Sequence, residues 1–461
     1  MPPGAAAVHR PRLLLGLVLG VSLILRVALV LSGGQGYWPD EVRYERSREA
    51  AAALRHGNAR AAVRAVARPD HLLFGFLGLA PACLELATGP DDRVPALFFS
   101  LFSVASIGLL YSLARRLGEN ERAALLSALL LAASTAQLYG SRHLLPYDAS
   151  LCLGLAALLV AVRASPSIGG SVLCGLLSAA ALLTYNGYFL LAGTALAIHA
   201  LGARGWRIGL GRGLAAGAAF ALPFAAIALA DALRHGAFLR QWLAFSNAVT
   251  QGRFGEGGGL PFAYLWHAEH LLTVLWAFAF AFASVRLWHG DRSRSLAFGV
   301  AGILLVYGGL VAGSVALERF VVYGRQVRQL VPLACLLSGV TLDRLASGGP
   351  AKRRVVVAVL VAVIAQSALN FRTPIAQVFP REFRKMAERI PSSTGAPRRL
   401  LYADHIYPVP APPPDSGHVL LARPHPLQFL PYPYEGYTPE ERAALRATDI
   451  RMRLVEIRTR N

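Results

Sequence analysis

Apolar stretches near bilayer-crossing length recur along this chain, and they restrict its possible folds more than any motif does. They occupy residues 13–31, 94–114, 123–139, 147–162, 170–185, 188–201, 209–230, 269–285, 295–315, 327–345 and 355–369. A helix needs about 20 residues to span the hydrocarbon layer, so these runs predict about eleven crossings. Hydrophobic residues make up 55% of the 461 and charged residues only 16%, whereas a soluble surface uses about a quarter. The bilayer is therefore the expected solvent. A disordered chain, a coiled coil and an ordinary cytosolic enzyme are set aside.

Charge orients the chain. The formal net charge is +20, with lysine only at Lys352 and Lys385, so nearly all the positive charge is arginine, much of it between apolar runs. That placement fits short cytoplasmic loops better than a phosphate-neutralising face, so no nucleic acid is expected. His9, Arg10 and Arg12 precede the first run, which lacks an A-x-A cleavage site and reads as an uncleaved anchor with its start inside. Residues 71–87, interrupted by Pro81 and carrying Glu85, read as a helix lying at the interface. With that parity the inner side receives Arg115, Arg116, Arg122, Arg163, Arg204, Arg207, Arg212, Arg286, Arg292, Arg294, Arg344, Lys352, Arg353 and Arg354. The short outer loops receive Arg142 and no basic residue near Asn186.

The expected fold is thus an all-α polytopic membrane protein. Residues 1–370 form the membrane domain, with outer loops at 33–93 and 233–268. Residues 371–461 are polar and read as a small outer-face α/β domain. Its helices are expected at 381–390 and 439–447, and its strands at 399–402, 418–421 and 452–457. The location expected is the plasma (inner) membrane. Cys83, Cys152, Cys174 and Cys335 sit in apolar stretches without CxxC spacing and read as small packing residues.

The crossings are nearly empty of charge, and Arg26 alone lies well inside one. Ion-coupled transporters keep carboxylates or histidines at mid-membrane, so this scarcity argues against one. Arg26 reads as a helix-pairing residue. Polar groups concentrate outside, in the string Tyr37-Trp38-Pro39-Asp40-Glu41-Val42-Arg43-Tyr44-Glu45-Arg46-Ser47-Arg48-Glu49. Asp40 can cap a following helix. It can equally be a base beside arginines, whose planar forks take phosphate oxygens two at a time. Residue types alone leave both open. The glycine-rich stretch 252–259 lacks the lysine of a phosphate-binding P-loop and reads as a mobile loop. His425 and the tyrosines at 432, 434 and 437 read as a proline-stiffened packed turn.

The string Pro39-Asp40-Glu41-Val42-Arg43-Tyr44, with Ser47-Arg48-Glu49, resembles the first outer loop of GT-C glycosyltransferases that use polyprenyl-phosphate sugars. The lipid A aminoarabinose transferases come nearest, with the protein O-mannosyltransferases and the rhizobial galacturonosyltransferase-like group as relatives. Residues 111–118, Ser141-Arg142 with Asp148, and Tyr323 to Pro332 resemble further elements of that family. The resemblance covers roughly residues 10–345.

It implies a GT-C-like glycosyltransferase that moves a sugar, with inversion, from a polyprenyl-phosphate donor to a glycan, lipid or protein acceptor on the outer face. Asp40 is then the general base and Asp148 a secondary acid. Glu41, Arg43, Tyr44, Arg68, Arg142, Arg325 and Arg328 become substrate-binding residues. The Glu-His pair Glu269-His270, with Asp70 and His71, becomes a candidate divalent-metal set, although Ala67 stands where the family has an acidic ligand. That departure, and the loss of a second proline after Pro69, put aminoarabinose itself in doubt. A lipid-linked-sugar flippase, and a non-catalytic assembly factor, are the alternative readings of the same outer-face charges.

Overall fold

The computed structural model describes residues 5–32, 35, 39–67, 71–163, 167–203, 205–233, 236, 238, 240–244, 258–316, 324–372, 399–402, 418–422 and 453–456. The first helix, α1 (Ala5–Leu31), leads into a 3-10 turn at Pro39–Tyr44. Four short helices then form an outer layer: α2 (Glu45–Arg55), α3 (Ala59–Val66), α4 (Leu72–Leu77) and α5 (Leu79–Thr88). The bundle continues with α6 (Arg93–Arg116), α7 (Glu121–Ala133), α8 (Thr135–Gly140), α9 (Tyr147–Ala161), α10 (Ile168–Thr184), α11 (Phe189–Leu201) and α12 (Trp206–Leu233). Further helices cover Leu260–Glu269, Leu271–Trp288, Arg294–Val311, Val331–Ala346 and Pro350–Arg372.

The chain is an all-α polytopic membrane protein, and every expected apolar run is helical. Seven helices among the described residues are long and apolar enough to cross a membrane. The others are shorter, and α9, α10 and α11 lie among them inside the bundle. Val331–Ala346 is the central helix, buried along nearly its whole length against α7, Leu271–Trp288 and Arg294–Val311. Trp206–Leu233 is largely exposed, as expected of a lipid-facing helix.

Two expectations change in detail. The run at 123–139 is one apolar stretch, yet the helix breaks at Ser134, which has an extended backbone and caps α8 through its hydroxyl. Residues 71–87 form two helices, because Gly78 and Pro81 interrupt them and the absence of a side chain at Gly78 lets Ser47 approach. α5 packs on α2 and α6, which places this pair in the outer layer.

Arg26 pairs helices, as its isolation suggested: it is fully buried and donates to Ser103 Oγ of α6 at 2.9 and 3.0 Å and to its own Ser22 carbonyl at 3.1 Å. At the far end of the bundle, Asp343 accepts from Arg122 and from Asn120 (2.7 Å), and Asp291 accepts from Arg286 (2.9 Å) and Arg344 (2.8 Å). These ionic ties join the arginine-rich loops to one another. The four cysteines are unpaired.

In the tail, strands β1 (Arg399–Tyr402), β2 (His418–Ala422) and β3 (Arg453–Glu456) fall on the three expected runs. They form one sheet in the order β1-β2-β3, parallel between β1 and β2 (Arg399 beside Val419) and antiparallel between β2 and β3 (His418 beside Glu456). The helices expected at 381–390 and 439–447 lie outside the described residues, as do His425 and the tyrosines at 432, 434 and 437.

Candidate functional site

The loop after α1 is fastened firmly to the bundle. Tyr44 is fully buried, edge-on to Phe99, and its hydroxyl donates to Glu85 Oε2 at 2.9 Å. Arg48, one turn further along α2, donates to Glu85 at 2.6 and 3.0 Å, to Asp92 at 2.7 Å and to Glu45 at 2.5 Å, with its guanidinium 5.0 Å from the Tyr44 ring centre. The bond to Glu85 raises the Arg48 pKa, and burial pushes up the Tyr44 hydroxyl. Glu85, which the sequence offered as an interfacial acid, is thus the anchor of α2. Tyr44 and Arg48 belong to scaffold.

The turn that carries Asp40 precedes this anchor. Asp40 is five residues ahead of Glu45, and the residue at the N-cap of α2 is Tyr44, without a side-chain cap bond. The capping position of α2 is thus taken by Tyr44. The Asp40 side chain lies outside the described residues, as do Arg68 and Asp70. Arg43 is buried in the same turn.

Glu41 joins the first outer loop to the second. Its buried carboxylate accepts from His143 Nδ1 and from the Leu144 amide, both at 3.0 Å. His143 Nε2 then stands as the acceptor 3.5 Å from Arg142 Nε, and Arg142 lies 5.5 Å from the centre of the Tyr139 ring. Burial lowers the His143 pKa, against the pull of Glu41, so the ring is neutral with its proton on Nδ1.

The start of α9 meets the segment before Val331–Ala346. Asp148 lies in the first turn of α9 and accepts from Arg328 Nη2 at 2.6 Å. The same nitrogen lies 3.3 Å from Gln137 Oε1, and the guanidinium is 5.9 Å from the Tyr147 ring centre. It sits over Gly140, where a Cβ would come within 2.5 Å of it, so any larger residue there would displace the guanidinium from its present position. Arg325 donates to the Tyr147 hydroxyl at 3.2 Å, and its carbonyl accepts from Tyr188 at 3.1 Å. Tyr185 completes an aromatic group, 4.7 Å from Tyr147, 5.0 Å from Tyr188 and 5.2 Å from His71 between ring centres.

One end of the bundle therefore gathers Glu41, Arg142, Asp148, Arg325 and Arg328 from segments up to 287 residues apart (328 − 41). Sequence reasoning missed Gln137, Tyr139, His143, Tyr147, Tyr185 and Tyr188. The only sign of them was a run of tyrosines at the ends of short apolar stretches.

Of the expected metal set, Asp70 lies outside the described residues and Glu269 is bound to hydroxyl and backbone donors. Both oxygens of Glu269 are engaged: Oε1 accepts from Ser134 Oγ (2.5 Å) and the Ala136 amide (3.0 Å), and Oε2 from the Thr135 amide (2.9 Å). His270 has a positive φ of 43° between two helices, and His71 one of 55° before α4, with its ring on Tyr185. Among the described residues no group of three or more His, Cys, Asp or Glu side chains is placed to hold a metal. The carboxylate chosen for that role instead closes the N-terminus of α8, whose orphan amides need an acceptor.

No protein-family model and no curated protein matches the chain. Solved structures do. ArnT from Cupriavidus metallidurans bound to undecaprenyl phosphate matches at TM-score 0.52 and 18% identity, over 79% of this chain and 74% of that one. The apo state of the same enzyme matches at TM-score 0.52 and 19% identity, over 71% of this chain and 59% of that one. Broken crossings, an outer layer of short helices after the first crossing, and this superposition together establish that the chain has a GT-C-like fold.

Proposed function

We propose that this protein is an integral membrane glycosyltransferase that transfers one sugar from a polyprenyl-phosphate carrier to a glycan, lipid or protein acceptor at the outer face of the plasma (inner) membrane. The observation that carries the reading is Arg328. It is buried and paired with Asp148, yet its Nε–H has no acceptor among the described residues, and neither has Gln137 Nε2 beside it. A buried guanidinium with a spare donor is suited to a phosphate oxygen, which accepts charge-assisted bonds at low dielectric. Arg142, Arg325 and Arg43 add positive charge on neighbouring segments. The likeness to an ArnT that binds undecaprenyl phosphate supplies the chemical class of the donor.

In this mechanism Asp40 takes the proton of the acceptor hydroxyl as that oxygen attacks the anomeric carbon. The bond from that carbon to the phosphate oxygen breaks, the phosphate leaves with the electron pair, and one displacement inverts the configuration. Positioned base catalysis contributes about 10²–10⁴-fold. Stabilising the departing phosphate through Arg328 and its neighbours, and orienting the two substrates, supplies the remainder. Asp148 holds Arg328 in place for this.

The test is product formation by purified protein given lipid-linked sugar and an envelope extract as acceptor. Asp40→Asn is expected to lose transfer by at least about 10²-fold while binding undecaprenyl phosphate as wild type does. Undiminished transfer by that variant would remove Asp40 as the base. Movement of the intact lipid-linked sugar across the bilayer with no product would favour a flippase.

A further inference from the structure

Glu269 is buried at the end of the bundle and accepts three hydrogen bonds, from Ser134 Oγ and the Thr135 and Ala136 amides. All three donors belong to the break between α7 and α8. The run 123–139 carries a stop of its own, since Ser134 is a favoured capping residue with Gln137 three positions on, yet that cap leaves the Thr135 and Ala136 amides in need of an acceptor. The break exposes the first amides of a new helix to an apolar interior, and an acceptor there offsets the cost of leaving them unpaired. Glu269 arrives from the end of helix Leu260–Glu269, which packs against α8.

What the break achieves is visible on α8 itself. Three of its six residues face the two buried arginines: Gln137 lies at 3.3 Å from Arg328, Gly140 leaves the space that Arg328 occupies, and Tyr139 lies under Arg142. A continuous helix through 134 would rotate these three away from their present directions.

We propose that Glu269 is a positioning residue: by closing the break at Ser134 it sets the rotation of α8, and through Gln137, Tyr139 and Gly140 it aims Arg328 and Arg142 at the anion. This rests on the phosphate-binding role proposed for those arginines.

The experiment measures binding of undecaprenyl phosphate to the purified full-length chain in nanodiscs, for wild type, Glu269→Gln, Arg328→Gln and the double variant. In Glu269→Gln, whichever way the amide turns, one backbone N–H of α8 faces another N–H. The expected result is a dissociation constant raised about tenfold or more, with the double variant no weaker than Arg328→Gln alone, because both changes act on one group. Ser134→Ala keeps the two backbone bonds and is expected to shift binding in the same direction by less, which keeps the test open if Glu269→Gln does not fold. Additive effects in the double variant, or wild-type binding by both Glu269→Gln and Ser134→Ala, would overturn the proposal. So would loss of wild-type binding on chelation of divalent ions to the level of Glu269→Gln, which would make Glu269 a metal ligand. Failure of wild type itself to bind undecaprenyl phosphate would bring down the phosphate reading, and this proposal with it, an outcome distinct from the others.

Discussion

The Asp148–Arg328 pair concentrates opposite charges in a site from which water is largely excluded. Breaking such a pair from one side strands the other charge and costs about 3–5 kcal/mol. Asp148→Ala should therefore destabilise the protein strongly, as a large drop in thermal midpoint in detergent. The double change Asp148→Leu with Arg328→Met should recover much of the stability while undecaprenyl phosphate binding stays lost. Recovery of both would show that the pair is packing alone. His143 carries a pH signature. Its pKa is lowered in the folded protein by burial, so the unfolded chain binds more protons as pH falls below the ordinary histidine value of about 6.5. Stability contributed there is full above that pH and is lost on acidification. Thermal midpoints at pH 7.5 and 5.5 should differ more for wild type than for His143→Gln, and equal differences would contradict the burial argument. Arg43, Asp148 and Arg328 could be picked out as residues, because charge is scarce in this chain: Asp148 and Arg328 stand at the starts of apolar runs, and Arg43 falls in the polar string after the first. Glu269 was legible only as a polar residue beside a histidine, and its bonds to the start of α8 were not.

Close approach of helices decides which elements meet. A Cβ at Gly175 of α10 would run into the Ala216 carbonyl and Phe220 amide of α12, whereas one at Gly217 of α12 meets nothing within 4 Å. The α10–α12 contact is backbone to backbone, the arrangement that small residues permit between helices in lipid. Gly175→Val should cost about 1–3 kcal/mol by overpacking. Gly217→Val should be nearly silent, and similar losses in the two variants would mean that backbone strain, not the interface, sets the cost. The helices themselves were predictable from apolar run length. The geometry at the breaks at Ser134 and Gly78 was not, because residues distant in sequence meet each one: Glu269 bonds the first and Ser47 packs against the second.

Across the whole molecule, the ionic ties among Asn120, Arg122, Asp291, Arg344 and Asp343 lie at the end of the bundle opposite the gathered arginines. The positive-inside rule predicts that this tied end faces the cytoplasm. With Cys83 replaced, His56→Cys in the outer layer should react with an impermeant maleimide added to intact cells, and Arg292→Cys should react only after lysis. The reverse pattern would invert the topology and move the candidate site to the cytoplasmic face.

Composition and run length determined that this chain lives in a bilayer as a helical bundle, because a 55% apolar chain has no other way to satisfy its backbone there. The arginine distribution supplied the expected orientation, and a short acidic-arginine string supplied the candidate base and its neighbouring arginine. Tertiary structure alone decided which charges meet. Arg328 finds Asp148 across 180 residues, and Glu41 finds His143 across 102. Periodicity describes neighbours along a helix and carries no record of such distant contacts, which exist only once the bundle has closed.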